Sequence, residues 1–247
     1  VLLHGVGLDH HLWDDLRARL SPARTVVAYD LIGHGDGPHP AGPYTIEQYV
    51  AQLHAAVVDA SDAAGGGPVD VGGFSMGALI AQAFAAQHPL LVHRLILIAA
   101  VFHRSPAERA AVLDRVAAVR AGEFAASVEA ALSRWFTPAF AHDHPSVVAA
   151  VRARMETNDV RAYADAYEVF ATADESLVAA TRRITAPTLV IAGEDDPRST
   201  PAMAHALADR VPNGRAVVLP DRRHCVMLED PEGVAALVEW FLTDPLD

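Results

Sequence analysis

Between Val69 and Gln87 the chain reads VDVGGFSMGALIAQAFAAQ. An apolar run closes on Gly72-Gly73-Phe74-Ser75-Met76-Gly77 and passes at once into an Ala-rich helical pattern. The order is strand, sharp turn, helix, with Ser75 at the apex. A serine that stands clear of a sheet needs a strained backbone. Gly73 and Gly77, two residues before and two after it, leave space for that turn, because a side chain at either would strike the neighbouring strand or helix. The turn also sets Ser75 at a helix N-terminus, where outward-pointing N–H groups favour developing negative charge.

Upstream of this stretch, Val1-Leu2-Leu3 reads as the end of a buried strand and His4-Gly5-Val6-Gly7 as a glycine loop. Residues 8–20 have helical periodicity, with Leu12, Trp13, Leu16 and Leu20 on one side. Residues 25–31 read as a strand that runs into Gly33-His34-Gly35. Thr45 is placed to cap a helix over 46–60, with Glu47 in its first turn. Downstream, 95–100 reads as a strand. From there to about 183 the pattern is helical, with helices expected from Pro106 toward Gly122 and over 125–135, 146–157 and 160–172. Strands return at 187–193 and 216–219, with helices at 202–211 and 231–242. Alternating strands and helices predict an α/β fold with a mostly parallel sheet covered by helices on both faces. The expected division is a core of residues 1–100 and 184–247, interrupted by a helical cap over 101–183.

The chain has 247 residues, of which 51% are hydrophobic, ample for one large domain. Its net charge of -12 argues against a nucleic-acid partner. No apolar run approaches the ~20 residues needed to span a bilayer, so no membrane partner is expected. All 19 basic residues are arginine, which excludes lysine Schiff-base chemistry and a P-loop. The lone Cys225 cannot form an internal disulfide and fits a reducing, cytoplasmic setting. Oligomeric state leaves no mark in the sequence.

A serine hydroxyl is a poor nucleophile at neutral pH. It needs a base, and the base needs an acid to fix its tautomer. In a strand–turn–helix architecture these follow in the order serine, acid, histidine, each in a loop after a later strand. Acid candidates are Glu194, Asp195 and Asp196, just past the strand at 187–193. The base candidate is His224, after the strand at 216–219. Developing negative charge on a substrate carbonyl calls for two backbone donors: the N–H of Met76, directly after the serine, and that of Val6, in the first glycine loop.

These motifs together carry a resemblance over essentially the whole chain: HGVG at 4–7, GHG at 33–35, GFSMG at 73–77, GEDDPRSTP at 193–201 and HCVMLEDP at 224–231. The chain resembles the α/β-hydrolase superfamily. The resemblance implies a cofactor-independent serine hydrolase acting on a small molecule, with Asp196 favoured as the acid because it stands three residues after the strand-end glycine. It also implies that the family's antiparallel edge strands belong before Val1. RWFTPAF at 134–140, the stretch around Tyr163 and PTLVIAGEDDPRSTP at 187–201 resemble 3-oxoadipate enol-lactonases. Small carboxylic esters and enol-lactones are therefore the expected substrates. C–C bond cleavage of vinylogous diketones by the same residues, perhydrolysis at the acyl-enzyme, and a hydrolase-fold ligand receptor with little turnover are the alternatives.

Trp135, Phe136, Tyr163 and Arg104 are the candidate substrate contacts, with Phe140, Tyr167 and Arg134 as further possibilities. His4 and His34 read as buried residues that satisfy backbone groups rather than as bases. His10-His11 and His142-Asp143-His144 lack metal-ligand spacing, so no metal is expected. Cys225 reads as apolar filler.

Overall fold

The computed structural model describes residues 1–20, 22 and 24–243. The last four positions of the core segment expected over 184–247 lie outside the described residues. Strands β1 (Leu2–Leu3), β2 (Ala28–Tyr29), β3 (Val69–Phe74), β4 (Val92–Ile98), β5 (Thr188–Gly193) and β6 (Gly214–Leu219) form one sheet in the order β2-β1-β3-β4-β5-β6. All five pairings are parallel. The strand expected over 25–31 pairs at only two residues, because β2 is an edge strand and β1 offers it only Leu2 and Leu3. β4 begins three residues before the expected 95 and ends at Ile98, where Ala99 turns to φ +49°.

Helices α1 (Asp14–Arg19), α2 (Ile46–Ala63) and α3 (Met76–Gln87) connect the first strands. The helix expected over 8–20 is split into a 3-10 turn, His10–Trp13, and α1. Thr45 caps α2 through a full capping box with Gln48. Between β4 and β5 lie α4 (Pro106–Arg120), α5 (Phe124–Trp135), α6 (Pro138–Asp143), α7 (Pro145–Glu156), α8 (Val160–Thr172) and α9 (Asp174–Ala180). After β5 come α10 (Pro201–Arg210), then β6, α11 (Val226–Glu229) and α12 (Pro231–Thr243).

The core follows from composition. β4 from Leu95 to Ile98 and β5 from Leu189 to Ala192 are apolar and buried, as expected for parallel strands covered on both faces. α3 is buried from Met76 to Ala86, so its alanines present no polar face and let it lie close to β3. The strand order reverses direction between β1 and β3. In open parallel sheets such a switch opens a crevice at the carboxyl ends of the strands. The loop after β1 carries Val6 and the turn after β3 carries Ser75, so both stand at that crevice. No helix among the described residues is long and apolar enough to cross a membrane.

Candidate active site

Ser75 has φ 53° and ψ -110°, a strained backbone that lifts its side chain off the end of β3. A Cβ at Gly73 would collide with the backbone of Gly77, and one at Gly77 with the carbonyls of Leu3 and His4. Both positions require glycine because backbone, not flexible side chain, occupies the space. The Ser75 N–H donates to the Ile98 carbonyl at 2.9 Å, tying the turn to β4.

His224 stands between β6 and α11. Its Nε2 lies 3.1 Å from Ser75 Oγ, and its Nδ1 lies 2.6 Å from Asp196 Oδ2. An ionised carboxylate only accepts, so Nδ1 carries the proton and Nε2 is left to accept from the serine hydroxyl. Asp196 is 3% exposed. Burial pushes its carboxyl toward the neutral form. The charge and hydrogen bond of His224, with the N–H groups of Arg198 and Ser199 on Oδ1 at 2.9 and 3.0 Å, outweigh this and hold it below the usual carboxylate range. Of the three acid candidates, Glu194 and Asp195 are exposed, and Asp196 is the one against His224. Gly193 lets the two loops meet: a Cβ there would collide with the carbonyls of Arg222 and Arg223.

Met76 is the first residue of α3, so its N–H has no intrahelical acceptor. The Val6 N–H likewise meets no protein acceptor among the described residues. Val6 lines the cavity that Ser75 and His224 open into. Two unpaired donors on the flanks of the crevice can receive an oxyanion.

The cavity measures about 780 Å³ with its mouth. Trp135, Tyr163, Tyr167 and Arg104 line it, as do Arg115, Arg134 and Arg198. Phe136 does not: it is 2% exposed and stacks on Phe140, with ring centroids 5.4 Å apart, so the expectation of a substrate contact there is corrected. Arg104 lines the cavity with its hydrogen bonds already engaged. Its guanidinium meets Asp174 Oδ1 at 3.2 Å and the Phe170 carbonyl at 2.8 Å, and its backbone N–H donates to Asp174 Oδ2 at 3.0 Å. Arg115 donates to the Tyr167 hydroxyl at 2.9 Å. Arg134 has no acid partner among the described residues, and burial pushes its guanidinium pKa down. Arg115 stands in no motif, and Arg198 lies within the stretch at 193–201 without being marked there as a cavity residue; only the fold brings both to the cavity.

Four of the other histidines, His4, His34, His10 and His144, have structural partners. His4 Nδ1 donates to the Gly5 carbonyl at 2.8 Å, and Nε2 accepts from the Leu31 N–H at 3.0 Å. His34 donates to the Ile32 carbonyl at 3.0 Å. His10 pairs with Asp30, and His144 stacks on Phe140. Cys225 is fully buried, and burial pushes its thiol pKa up.

The profile of the Alpha/beta hydrolase family matches residues 1–237. Among curated proteins, the (E)-2-((N-methylformamido)methylene)succinate hydrolase of Acinetobacter baylyi is 31% identical, the match covering 99% of this chain and 90% of that protein. The 3-oxoadipate enol-lactonase 2 of the same organism is 29% identical, over 97% of this chain and 86% of its own. Among solved structures, the enol-lactonase from Burkholderia xenovorans LB400 superposes with a TM-score of 0.88 at 30% identity, covering 98% of this chain and 91% of that one. With a parallel sheet, a serine at a strained strand-to-helix turn and a family match over nearly its whole length, this chain belongs to the alpha/beta hydrolase family and is a hydrolase similar to enol-lactonases.

Proposed function

We propose that Ser75, His224 and Asp196 are a catalytic triad that hydrolyses a small carboxylic ester or enol-lactone through an acyl-enzyme. The observation that carries this reading is the continuous hydrogen-bonded chain from Asp196 through His224 to Ser75. His224 Nε2 takes the Ser75 proton as Oγ attacks the carbonyl carbon. The N–H groups of Val6 and Met76 receive the oxyanion, and Asp196 stabilises the imidazolium. Collapse expels the alkoxide or enolate, which takes the proton from His224. Water, activated by His224, then releases the acyl group. Residues 101–183 serve as a cap that supplies the far wall of the cavity.

The substrate carries a carboxylate, held at Arg134. Support comes from the cavity, where Arg134 is half-buried without an acid partner among the described residues while Arg104 is neutralised by Asp174. A half-buried cation without a partner is incompletely hydrated, and a substrate anion would relieve that cost. The similar proteins' names, which speak of a methylenesuccinate and of 3-oxoadipate, lend support from outside the chain.

The test compares 4-nitrophenyl acetate with the 4-nitrophenyl half-ester of succinate in the wild type and Arg134→Leu. The wild type is expected to turn over both and to prefer the half-ester. Arg134→Leu should lose about 10- to 100-fold in kcat/KM on the half-ester, the worth of a charge-assisted bond, and little on the acetate. Equal losses on both would overturn the carboxylate reading. No turnover of any ester, enol-lactone or vinylogous diketone by the folded protein would favour a ligand receptor instead.

A further inference from the structure

We propose that Glu229 is a positioning residue whose carboxylate clamps the His224 loop to the junction between α5 and α6, so that the base and the cavity wall keep one geometry. The proposal rests on the reading of Ser75, His224 and Asp196 given above.

His224 lies in an irregular stretch between Leu219 and Val226 that contains Asp221 at φ +53°. Asp196 fixes the imidazole ring, but a loop histidine also needs its backbone fixed. Glu229 does this from beneath. α11 is a single turn, and the Glu229 N–H donates back to the Cys225 carbonyl at 3.0 Å, folding the side chain under the loop. Its Oε2 accepts from the Arg223 N–H at 2.6 Å, and its Oε1 accepts from the Thr137 N–H at 2.6 Å. Glu229 is 8% exposed, and its carboxylate answers two partly buried backbone donors.

The neighbours of His224 reinforce the same junction. The Cys225 N–H donates to the Trp135 carbonyl at 3.0 Å. The Arg223 guanidinium donates to the Ser133 and Phe136 carbonyls at 2.6 and 3.2 Å. Both residues that flank His224 are therefore tied to residues 133–137. That segment also presents Arg134 and Trp135 to the cavity, and the Trp135 ring stands 6.0 Å from the imidazole. Substrate wall and base are thus built on one clamped unit. The Nε2 to Oγ distance of 3.1 Å leaves little tolerance for drift of that unit.

The experiment measures phosphonylation of Ser75 by an alkyl fluorophosphonate, steady-state kinetics on 4-nitrophenyl acetate, and the melting temperature. Glu229→Gln keeps the shape, but its amide accepts one N–H and turns an NH2 against the other. Both the phosphonylation rate and kcat are expected to fall about 10- to 100-fold, the cost of a displacement of about 1 Å, with KM within about twofold. A second pair of variants carries the test from the other side and leaves Glu229 in place. Thr137 already has φ -66°, so Thr137→Pro removes the N–H that Oε1 holds without forcing the backbone. Thr137→Ala removes only the hydroxyl that caps α6. The proline variant should follow Glu229→Gln, and the alanine variant should stay near the wild type. Wild-type phosphonylation and kcat in both Glu229→Gln and Thr137→Pro, with only a lower melting temperature, would make Glu229 merely structural and overturn the proposal. A wild-type protein that is never phosphonylated at Ser75 would instead bring down the reading of the site itself, and the proposal with it.

Discussion

At the scale of single residues, the site depends on where one proton sits. Asp196 gives Oδ2 to His224 and Oδ1 to two backbone N–H groups, so its two oxygens have separate duties. In Asp196→Asn the side-chain oxygen would stay with the Arg198 and Ser199 donors, and the NH2 would face His224 Nδ1. The imidazole proton would then move to Nε2, which could no longer accept from Ser75. A fall of about 10⁴-fold in kcat on an aryl ester is expected, with the circular dichroism spectrum unchanged. A fall of less than tenfold would contradict the assignment of Asp196. These residues were legible in sequence because the spacing of strands and turns places them. Phe136 was misread because aromatic residues in a helical block are recognisable as apolar, yet nothing in their spacing tells a cavity wall from a stack such as Phe136 on Phe140. Arg104 lines the cavity, but its partner Asp174 is 70 residues away and invisible to local pattern.

At the scale of elements, local signals located most helices and strands. Thr45 with Gln48, and Ser105 with Glu108, are capping boxes that fix where α2 and α4 begin. The short elements escaped. α6 and α9 have six and seven residues, too few turns for a period of 3.6 to register. α11 has four residues and its place is set by Glu229, whose partners Arg223 and Thr137 lie on both sides of the clamp. The helical block also holds the first glycine loop: Asn158 donates to the Gly7 carbonyl at 3.0 Å, and Gly7, at φ +80°, leaves room for the Tyr163 ring. Long-range seams of this kind decide site geometry, and no sequence window contains them.

At the scale of the whole molecule, two buried histidines link stability to pH. Burial, partly offset by the Gly5 hydrogen bond, lowers the pKa of His4 from 6.5 to about 4. Burial and the nearby His4 lower that of His34 from 6.5 to about 3. Unfolded, each binds a proton near pH 6.5; folded, each resists doing so until about pH 4 and 3. The unfolded chain therefore holds more protons across this window, and stability is lost as pH falls below about 6.5, by about 1.4 kcal/mol per pH unit for each histidine. His34→Asn keeps a donor for the Ile32 carbonyl and removes one titration. Between pH 6 and 4.5 its unfolding free energy should fall less steeply than that of the wild type, by about 1.4 kcal/mol per pH unit, as chemical denaturation at each pH would measure; an unchanged slope would contradict the account. The fold as a whole gathers its chemistry at one crevice, and the most direct test is to catch the covalent intermediate there. A rapid acid quench of the wild type with 4-nitrophenyl acetate, followed by peptide mass spectrometry, should find an acetyl group on Ser75, with neither adduct nor turnover in Ser75→Ala. Turnover that persists in Ser75→Ala, or an acetyl group on another residue in its place, would contradict the central claim.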